Sequence, residues 1–494
     1  MRSNPMASYD YDIAIIGGGA AGLTVTAGAA QLGARTLLIE KEPALGGDCL
    51  HFGCVPSKTL IKTAHVYHQV KQTKKFGLPE ATIGPVDYCD IAARIQDVIA
   101  KIQIHDSVER FCTLGAQVEF GAPEFVDEHA VRLNGSTISA KHWLIATGSS
   151  PAPPRLEVLT NIDYLTNREI FSLESLPESM IVLGAGPIAM EMAQAFCRLG
   201  TTVQVIQRSG QILSKEDKDM ADTIMANMEQ EGVRFFLNAT VIDAAENKSF
   251  KKITIKLQDG HTKILNAEAV LLAQGRTPNT DGLGLDGIDV LHDVRGIKVD
   301  NRMRTNHRHI YAAGDVNGGF QFTHAAGYEG GIVITNAIFH LPRKADYTWM
   351  PWCTYTDPEL ASIGMNEKAA RKADIEYTLW TEEFAGNDRA LAEGSEHGKI
   401  KMLLNEKEKV IGVQIAGPRA GDLIGEWAAI LGGGVKLSTL AGIVHPYPTL
   451  GEINKRVAGT MLSAKIFSNT VKKGLKFFFQ LKGPVKDPCS RIDP

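Results

Sequence analysis

Long apolar runs are missing from this 494-residue chain, and cysteine is scarce. No run reaches the about 18 consecutive apolar residues of a membrane-spanning helix, so none is expected. Seven cysteines are too few, and odd in number, for the disulfide framework of a secreted domain. Acidic and basic residues nearly balance, with a net charge of −4, which excludes a general nucleic-acid binder. Met1 to Asp10 lacks the apolar centre of a secretory signal. Together these absences lead to the expectation of a reducing cytoplasm, where a close cysteine pair is catalytic rather than structural.

Glycine, by contrast, is abundant at 48 residues, and much of it follows strand-like runs. Asp12-Ile13-Ala14-Ile15-Ile16 reads as a buried parallel strand. Gly17-Gly18-Gly19-Ala20-Ala21-Gly22 then opens an Ala-rich helix to about Leu32, and a second strand, Thr36 to Ile39, ends in Glu40. Glycines at this spacing let the backbone approach a pyrophosphate at the helix N-terminus, and the acid accepts ribose hydroxyls. The pattern returns at Met180 to Leu183, where Gly184-Ala185-Gly186-Pro187-Ile188-Ala189 leads a helix through Glu191 to Leu199. Here the next strand, Thr202 to Ile206, ends in Gln207-Arg208. A guanidinium without an acid favours the 2′-phosphate of NADPH over NADH.

Between the two folds lies Gly46-Gly47-Asp48-Cys49-Leu50-His51-Phe52-Gly53-Cys54-Val55-Pro56-Ser57-Lys58. Five residues of regular helix rise about 7.5 Å, beyond the about 6.8 Å Cα separation of a disulfide. Pairing of Cys49 with Cys54 therefore needs an irregular chain at Gly53. Pro56 suits the first turn of a helix from about Ser57 to Lys71, and a thiolate near a helix N-terminus is stabilised. On spacing alone, two unrelated buried thiols remain the alternative.

Other stretches place the remaining parts. A helical pattern runs from about Val86 to Leu114. Val118 to Phe120 and Ala130 to Leu133 read as small strands, and Trp143 to Gly148 as a buried strand closing in a glycine turn. Pro151, Pro153 and Pro154 mark a boundary. Val270 to Ala273 leads into Gly275-Arg276-Thr277-Pro278-Asn279, and His309 to Ala313 into Gly314-Asp315. From Trp349 the texture becomes α+β, with strands Lys399 to Leu404 and Val410 to Ile415, a helix Asp422 to Leu431, and a further helix to about Leu462 after His445-Pro446-Tyr447-Pro448-Thr449-Leu450-Gly451-Glu452. Cys89, Cys112, Cys197 and Cys353 show no ligand spacing; each is expected to be a small buried hydrophobe, and no structural metal site is expected. In the tail, Phe467, Val471, Leu475 and Phe478 recur at three- and four-residue steps among Lys465, Lys472, Lys473, Lys476 and Lys482, with no acid before Asp487. Such a segment suits an anionic membrane surface or a partner's groove; the alternative is a helix docked on its own domain.

These residues, over positions 9 to 465, resemble the FAD-dependent pyridine nucleotide–disulfide oxidoreductases, a family with dihydrolipoamide dehydrogenase, glutathione reductase and mercuric reductase branches. The stretch 46–58 is similar to that family's redox signature. The resemblance implies an α/β fold with two Rossmann-like dinucleotide-binding domains, for FAD and NAD(P)H, and a C-terminal α+β dimerisation domain. The implied boundaries are 1–150 and 281–345 for the FAD domain, 151–280 for the NAD(P)H domain, 346–465 for dimerisation and 466–494 for the tail. It implies a homodimer whose active site takes C-terminal residues from the partner chain. Cys54 would lie against the flavin, Cys49 would face substrate, and Lys58 would pair with Glu191 beside the flavin. Glu40, Thr147 and Asp315 would hold the FAD ribose, pyrophosphate region and ribitol; Gly184, Gly186 and Arg208 would hold NADPH. The same carry-over gives cofactor contacts to Gly17, Gly19, Ala21, Gly22, Lys41, Gly47, Asp48, Ala122, Gly148, Ile188, Gln207, Gly275, Arg276, Phe322, Thr323 and His324.

The chain departs from the family pattern in three places. Disulfide-reducing members end in H-x-H-P-T-x-x-E, whose second histidine is the acid–base oriented by the glutamate; here that position is Tyr447, followed by Glu452. A phenol near pKa 10 is a poor proton shuttle, but it can donate to a thiolate-bound ligand. In this feature, and in Glu191 to Gly200, the chain looks like the mercuric reductase branch; His445 stays available as a substitute base. Against that branch, there is a single C-terminal cysteine, Cys489, instead of a vicinal pair, and no N-terminal CxxC module. Asp48 replaces a threonine near the FAD pyrophosphate, an uncompensated charge on sequence grounds. The resulting expectation is electron flow from NADPH through FAD to Cys49–Cys54 and on to a small-molecule or metal–thiol acceptor, Hg(II) bound transiently at the two cysteines. The alternatives are another disulfide, a quinone or an oxidant, a dihydrolipoamide-dehydrogenase-like activity, or a membrane-surface redox module. The location expected is cytoplasmic, peripheral to the membrane if the tail binds lipid, with no nucleic-acid partner.

Overall fold

The computed structural model describes residues 9–247 and 250–483. The chain forms two compact units. The first runs to Thr348 and includes Thr354–Thr356; the second takes Trp349–Cys353 and the chain from Asp357 onward.

In the first unit a seven-stranded sheet carries the first dinucleotide fold. Ala116–Phe120, Thr36–Glu40, Tyr11–Ile16 and Ser136–Ile145 lie in that order in parallel, and Ile310–Ala312 returns beside Ser136–Ile145. The early part of Ser136–Ile145 also pairs antiparallel with Ala130–Leu133, which pairs with Glu124–Asp127. Alternate residues of the central strands divide between two cores. Ile13, Ile15, Leu38, Leu144 and Tyr311 face one, with the helices Ala20–Gln31 and Thr323–Ala337 packed on it. Ala14, Ile16, Leu37, Ile39, Trp143 and Ile145 face the other. Burial on both faces explains why these strands are apolar without alternation.

The second dinucleotide fold is a four-stranded parallel sheet in the order Arg234–Phe236, Thr202–Ile206, Ser179–Leu183, Ala269–Leu272, beside a three-stranded antiparallel sheet, Thr240–Glu246, Lys251–Lys256 and Thr262–Ala267. Its helix Pro187–Leu199 packs on Cys54–Lys71, where Tyr88 stacks on Phe196 with ring centroids 5.7 Å apart. The second unit holds a five-stranded sheet, with an antiparallel core of Glu359–Gly364, Val410–Gly417, Lys399–Asn405 and Tyr377–Glu383. The helices Ala420–Gly432 and Glu452–Ile466 share its core.

Four local expectations are corrected. The pattern 86–114 is two helices, Tyr88–Gln103 and Val108–Thr113, because Ser107 caps the second by accepting from the Arg110 N–H. The redox helix begins at Cys54 rather than Ser57; Pro56, lacking an N–H, sits in its first turn at no hydrogen-bond cost. Cys89 and Cys112 are exposed, and Cys197 and Cys353 are half-buried, so none of the four is a buried hydrophobe. The tail helix Asn469–Phe479 buries none of its residues, which removes docking on its own domain. Cys489 lies outside the described residues. No helix of the described residues is long and apolar enough to cross a membrane.

Candidate active site

The first glycine loop is built by contact rather than by composition. A Cβ on Gly22 would stand 1.9 Å from the Gly17 carbonyl oxygen, and one on Gly17, at φ +108°, 2.4 Å from that of Ala146. Only glycine lets the helix Ala20–Gln31 begin this close to the strand. Gly19 precedes that helix, Ala21 is buried, and a Cβ on Gly47 would stand 2.8 Å from the Gly19 Cα. The narrow backbone slot between Gly19 and Gly47, at a helix N-terminus, fits a pyrophosphate. Glu40 accepts from the Gly18 N–H at 2.6 Å and the Glu42 N–H at 2.8 Å, so it braces the loop. Lys41 and Ala122 are exposed beside it.

Across the sheet, Thr147 donates to the Asn279 carbonyl at 2.6 Å, Asn279 donates back to the Thr147 carbonyl at 2.8 Å, and its N–H reaches the Gly148 carbonyl. This stitches the turn at Thr147–Gly148 to the Gly275–Asn279 loop. Arg276 then joins three groups. It donates through Nη2 to Asp48 at 2.9 Å and to the Ser149 carbonyl at 2.7 Å, and through Nε to Ser149 Oγ at 2.7 Å. Its Nε lies 3.7 Å from Asp315, which accepts from Ser149 Oγ at 2.5 Å. Burial raises the Asp315 carboxyl above its ordinary pKa, opposed by Ser149 and Arg276. Gly314 donates its N–H to Glu329 at 2.7 Å, fixing the turn before Asp315. The charge of Asp48 is therefore compensated: Arg276 meets one oxygen, Arg168 approaches the other at 4.0 Å, and Asn167 donates at 3.2 Å. Asn167 and Arg168 were not foreseen; an acid at a partly buried position was the one signal that cations must lie near it.

The dithiol sits between two helix starts. Cys49 lies in the short helix Gly47–His51, and Cys54 is the first residue of Cys54–Lys71 after the break at Phe52–Gly53. Both cysteines are free, without a disulfide. Thr323, first residue of Thr323–Ala337, donates to Cys49 Sγ at 3.1 Å and lies 3.4 Å from Cys54 Sγ. Its neighbours Phe322 and His324 stack with ring centroids 5.3 Å apart. The hydrogen bond from Cys49 brings Cys54 down to about 6, helped by Thr323 and the Lys58 charge and opposed by burial and Glu191. The same bond, with burial, pushes Cys49 far up. The pair is thus polarised, with Cys54 favouring the thiolate and Cys49 the thiol. Lys58 reaches Glu191 at 2.7 Å and lies 4.5 Å over the Tyr355 ring, while Glu191, almost fully buried, accepts from the Tyr355 N–H at 2.9 Å. The lysine is thus held within electrostatic reach of the thiolate.

In the second fold Gly184 and Gly186 line the start of Pro187–Leu199, and Ile188 is exposed there. Gln207 donates to Ser209 Oγ at 2.7 Å, and Arg208 is exposed. A second pyrophosphate fits the helix N-terminus, with Arg208 presented at the strand end.

In the second unit His445 Nε2 lies 2.9 Å from Glu426 Oε1, and its Nδ1 is buried with no partner among the described residues. Glu426 also accepts from Asn454 at 2.9 Å. Glu452, the glutamate expected to orient the acid–base residue, instead accepts from the Thr449 N–H at 3.4 Å. Tyr447 is exposed, and its hydroxyl donates to Asp388 at 2.8 Å; that carboxylate holds the phenol above its ordinary pKa. Glu426 and Asp388 lie 19 and 59 residues from their partners, separations without any local pattern.

Residues 11–330 match the pyridine nucleotide-disulphide oxidoreductase family, and residues 350–458 match its dimerisation domain. Mercuric reductase of Bacillus cereus is 32% identical over 472 residues, 95% of this chain and 73% of that protein. Dihydrolipoyl dehydrogenase of Geobacillus stearothermophilus is 35% identical over 468 residues, 93% and 98% of the two chains. Among solved structures, the Cu(II) complex of the HOCl-induced flavoprotein disulfide reductase RclA from Escherichia coli superimposes with a TM-score of 0.81 at 25% identity, covering 92% of this chain and 100% of that one.

Proposed function

The chain belongs to the pyridine nucleotide–disulphide oxidoreductases, which depend on FAD and NAD(P)H, and on that premise we propose that it is an NADPH-dependent reductase whose Cys49–Cys54 pair serves thiol-bound Hg(II). FAD would link the nicotinamide to the cysteines by carrying the electron pair. The rest of the proposal concerns the chain's own groups. Cys54, which favours the thiolate, and Cys49 together offer two soft sulfur ligands. Oxidation of this thiolate–thiol pair to the disulfide releases two electrons and one proton, and reduction of Hg(II) to Hg(0) consumes the electrons. Lys58 holds positive charge beside the thiolate, and Glu191 fixes the lysine. Arg208 selects NADPH. In a homodimer, the segment from His445 to Glu452 of one protomer would meet the dithiol of its partner.

The observation that carries the metal reading is Tyr447. Its hydroxyl is committed to Asp388 and titrates above the ordinary phenol, so it serves as a hydrogen-bond donor rather than a proton shuttle. The test is NADPH oxidation with Hg(II) in excess low-molecular-weight thiol, wild type beside Cys54→Ala. Saturable turnover that the substitution abolishes is the expected result. Inhibition by Hg(II), or equal rates in both proteins, would overturn the reading.

A second reading, reduction of a disulfide, is favoured by His445. Its pairing with Glu426 is the carboxylate–imidazole arrangement that supports general acid–base chemistry. On that reading His445→Gln abolishes disulfide-dependent NADPH oxidation; on the metal reading it leaves Hg(II)-dependent turnover near the wild-type rate.

A further inference from the structure

The family's dimerisation domain ends at residue 458, and the helix Asn469–Phe479 lies beyond it. We propose that this helix is a peripheral anchor that lays the enzyme on an anionic lipid bilayer. At 3.6 residues per turn, Val471, Leu475, Phe478 and Phe479 share an arc of about 100°, and Lys472, Lys473 and Lys476 share another of about 100°. Phe477 projects between the two. The helix buries none of its residues; Phe477, Phe478 and Phe479 are 78%, 76% and 70% exposed.

Charge decides the occupant. No acid occurs from Ile466 to Gly483. Lys465 is taken by Glu408, whereas the side chains of Lys472, Lys473 and Lys476 have no partner among the described residues. Two such helices paired through their apolar arcs would leave these lysines facing water, with no anionic partner. An anionic headgroup layer instead receives the lysines, whose stems run up past the apolar arc, while the phenylalanines enter the acyl boundary. The helix start is specified, since the Ser468 hydroxyl accepts from the Val471 N–H. Its eleven residues, with Gly474 inside, are too few to hold a helix firmly without a surface to rest on.

The test is flotation of the full-length flavoprotein with vesicles of phosphatidylcholine, pure or mixed with phosphatidylserine. The expected result is binding to the mixed vesicles only, weakened by added salt. Reversing Lys472, Lys473 and Lys476 to Glu cuts the partition coefficient by about a hundredfold or more. Leu475→Ser/Phe478→Ser/Phe479→Ser also releases the protein, with flavin content and NADPH oxidation unchanged. The proposal is overturned if the wild type stays unbound, if it binds both vesicle types equally, or if the lysine variant floats as well as wild type. It is also overturned if the apolar variant fails to form the wild-type oligomer in sedimentation while the wild type ignores vesicles; the occupant is then a second copy.

Discussion

Cys54 is where a single atom sets the chemistry. Its largest source of stabilisation is the Cys49 thiol, ahead of Thr323 and the Lys58 charge. Alkylation of the reduced protein by iodoacetamide, followed by mass spectrometry, should therefore rise as pH passes about 6, because the thiolate is the nucleophile. Cys49→Ala should move that midpoint up towards the free-thiol value, and Thr323→Val and Lys58→Met should move it up by less. Asp48 poses the opposite problem, an acid in the wrong place for its family. Arg276→Met should cost about 1–3 kcal/mol in denaturant unfolding by leaving Asp48 and Asp315 facing each other's charge. Asp48→Asn in the same chain should return part of that loss, a coupling that a double-mutant cycle reads directly. The sequence named Cys49, Cys54, Lys58, Glu191 and Arg276, because each lies in a motif of fixed spacing. It could not name Arg168, Asn167, Glu426 or Asp388, which reach their partners across loops. Nor did it give the exposure of Cys89, whose sulfur donates to the Glu174 carbonyl at 3.1 Å.

At the scale of elements, strands and glycine turns were legible because buried parallel strands are short apolar runs closed by glycine. The helix breaks were less so. Ser107 interrupts 86–114 through a side-chain cap, a signal present in the sequence but weaker than the apolar period that spans it. Val118 to Phe120 reads as a small isolated strand, but Ala116–Phe120 is the parallel edge strand of the main sheet, beside Thr36–Glu40, since pairing partners are chosen by topology. The close packing of Ala20–Gln31 on its strand makes a sharp prediction. Gly22→Ala places a methyl 1.9 Å from a carbonyl oxygen, so the helix start must retreat, at a cost of about 1–3 kcal/mol. The purified variant should show a markedly lower flavin-to-protein absorbance ratio than wild type.

For the whole molecule, the proposed sharing of sites between protomers can be checked with hybrids. Cys54→Ala and His445→Ala proteins, each inactive with a disulfide acceptor on the second reading, should regain activity when unfolded together and refolded, because a mixed dimer contains one intact site; no recovery would place both residues' actions within one chain. The organisation of the first unit also bears on how such enzymes diversify. Ser149–Pro151, leading out of the first dinucleotide fold, and Arg276–Pro278, returning to it, pair antiparallel, with Pro151 opposite Arg276. Everything between them, including the four-stranded sheet, leaves and re-enters through one ribbon whose two strands stand about 5 Å apart. The intervening segment is therefore a cassette. It enters and leaves at one place yet carries Glu191, Asn167 and Arg168, so a counterpart with a different nicotinamide preference can replace it only if it brings equivalent partners for Lys58 and Asp48.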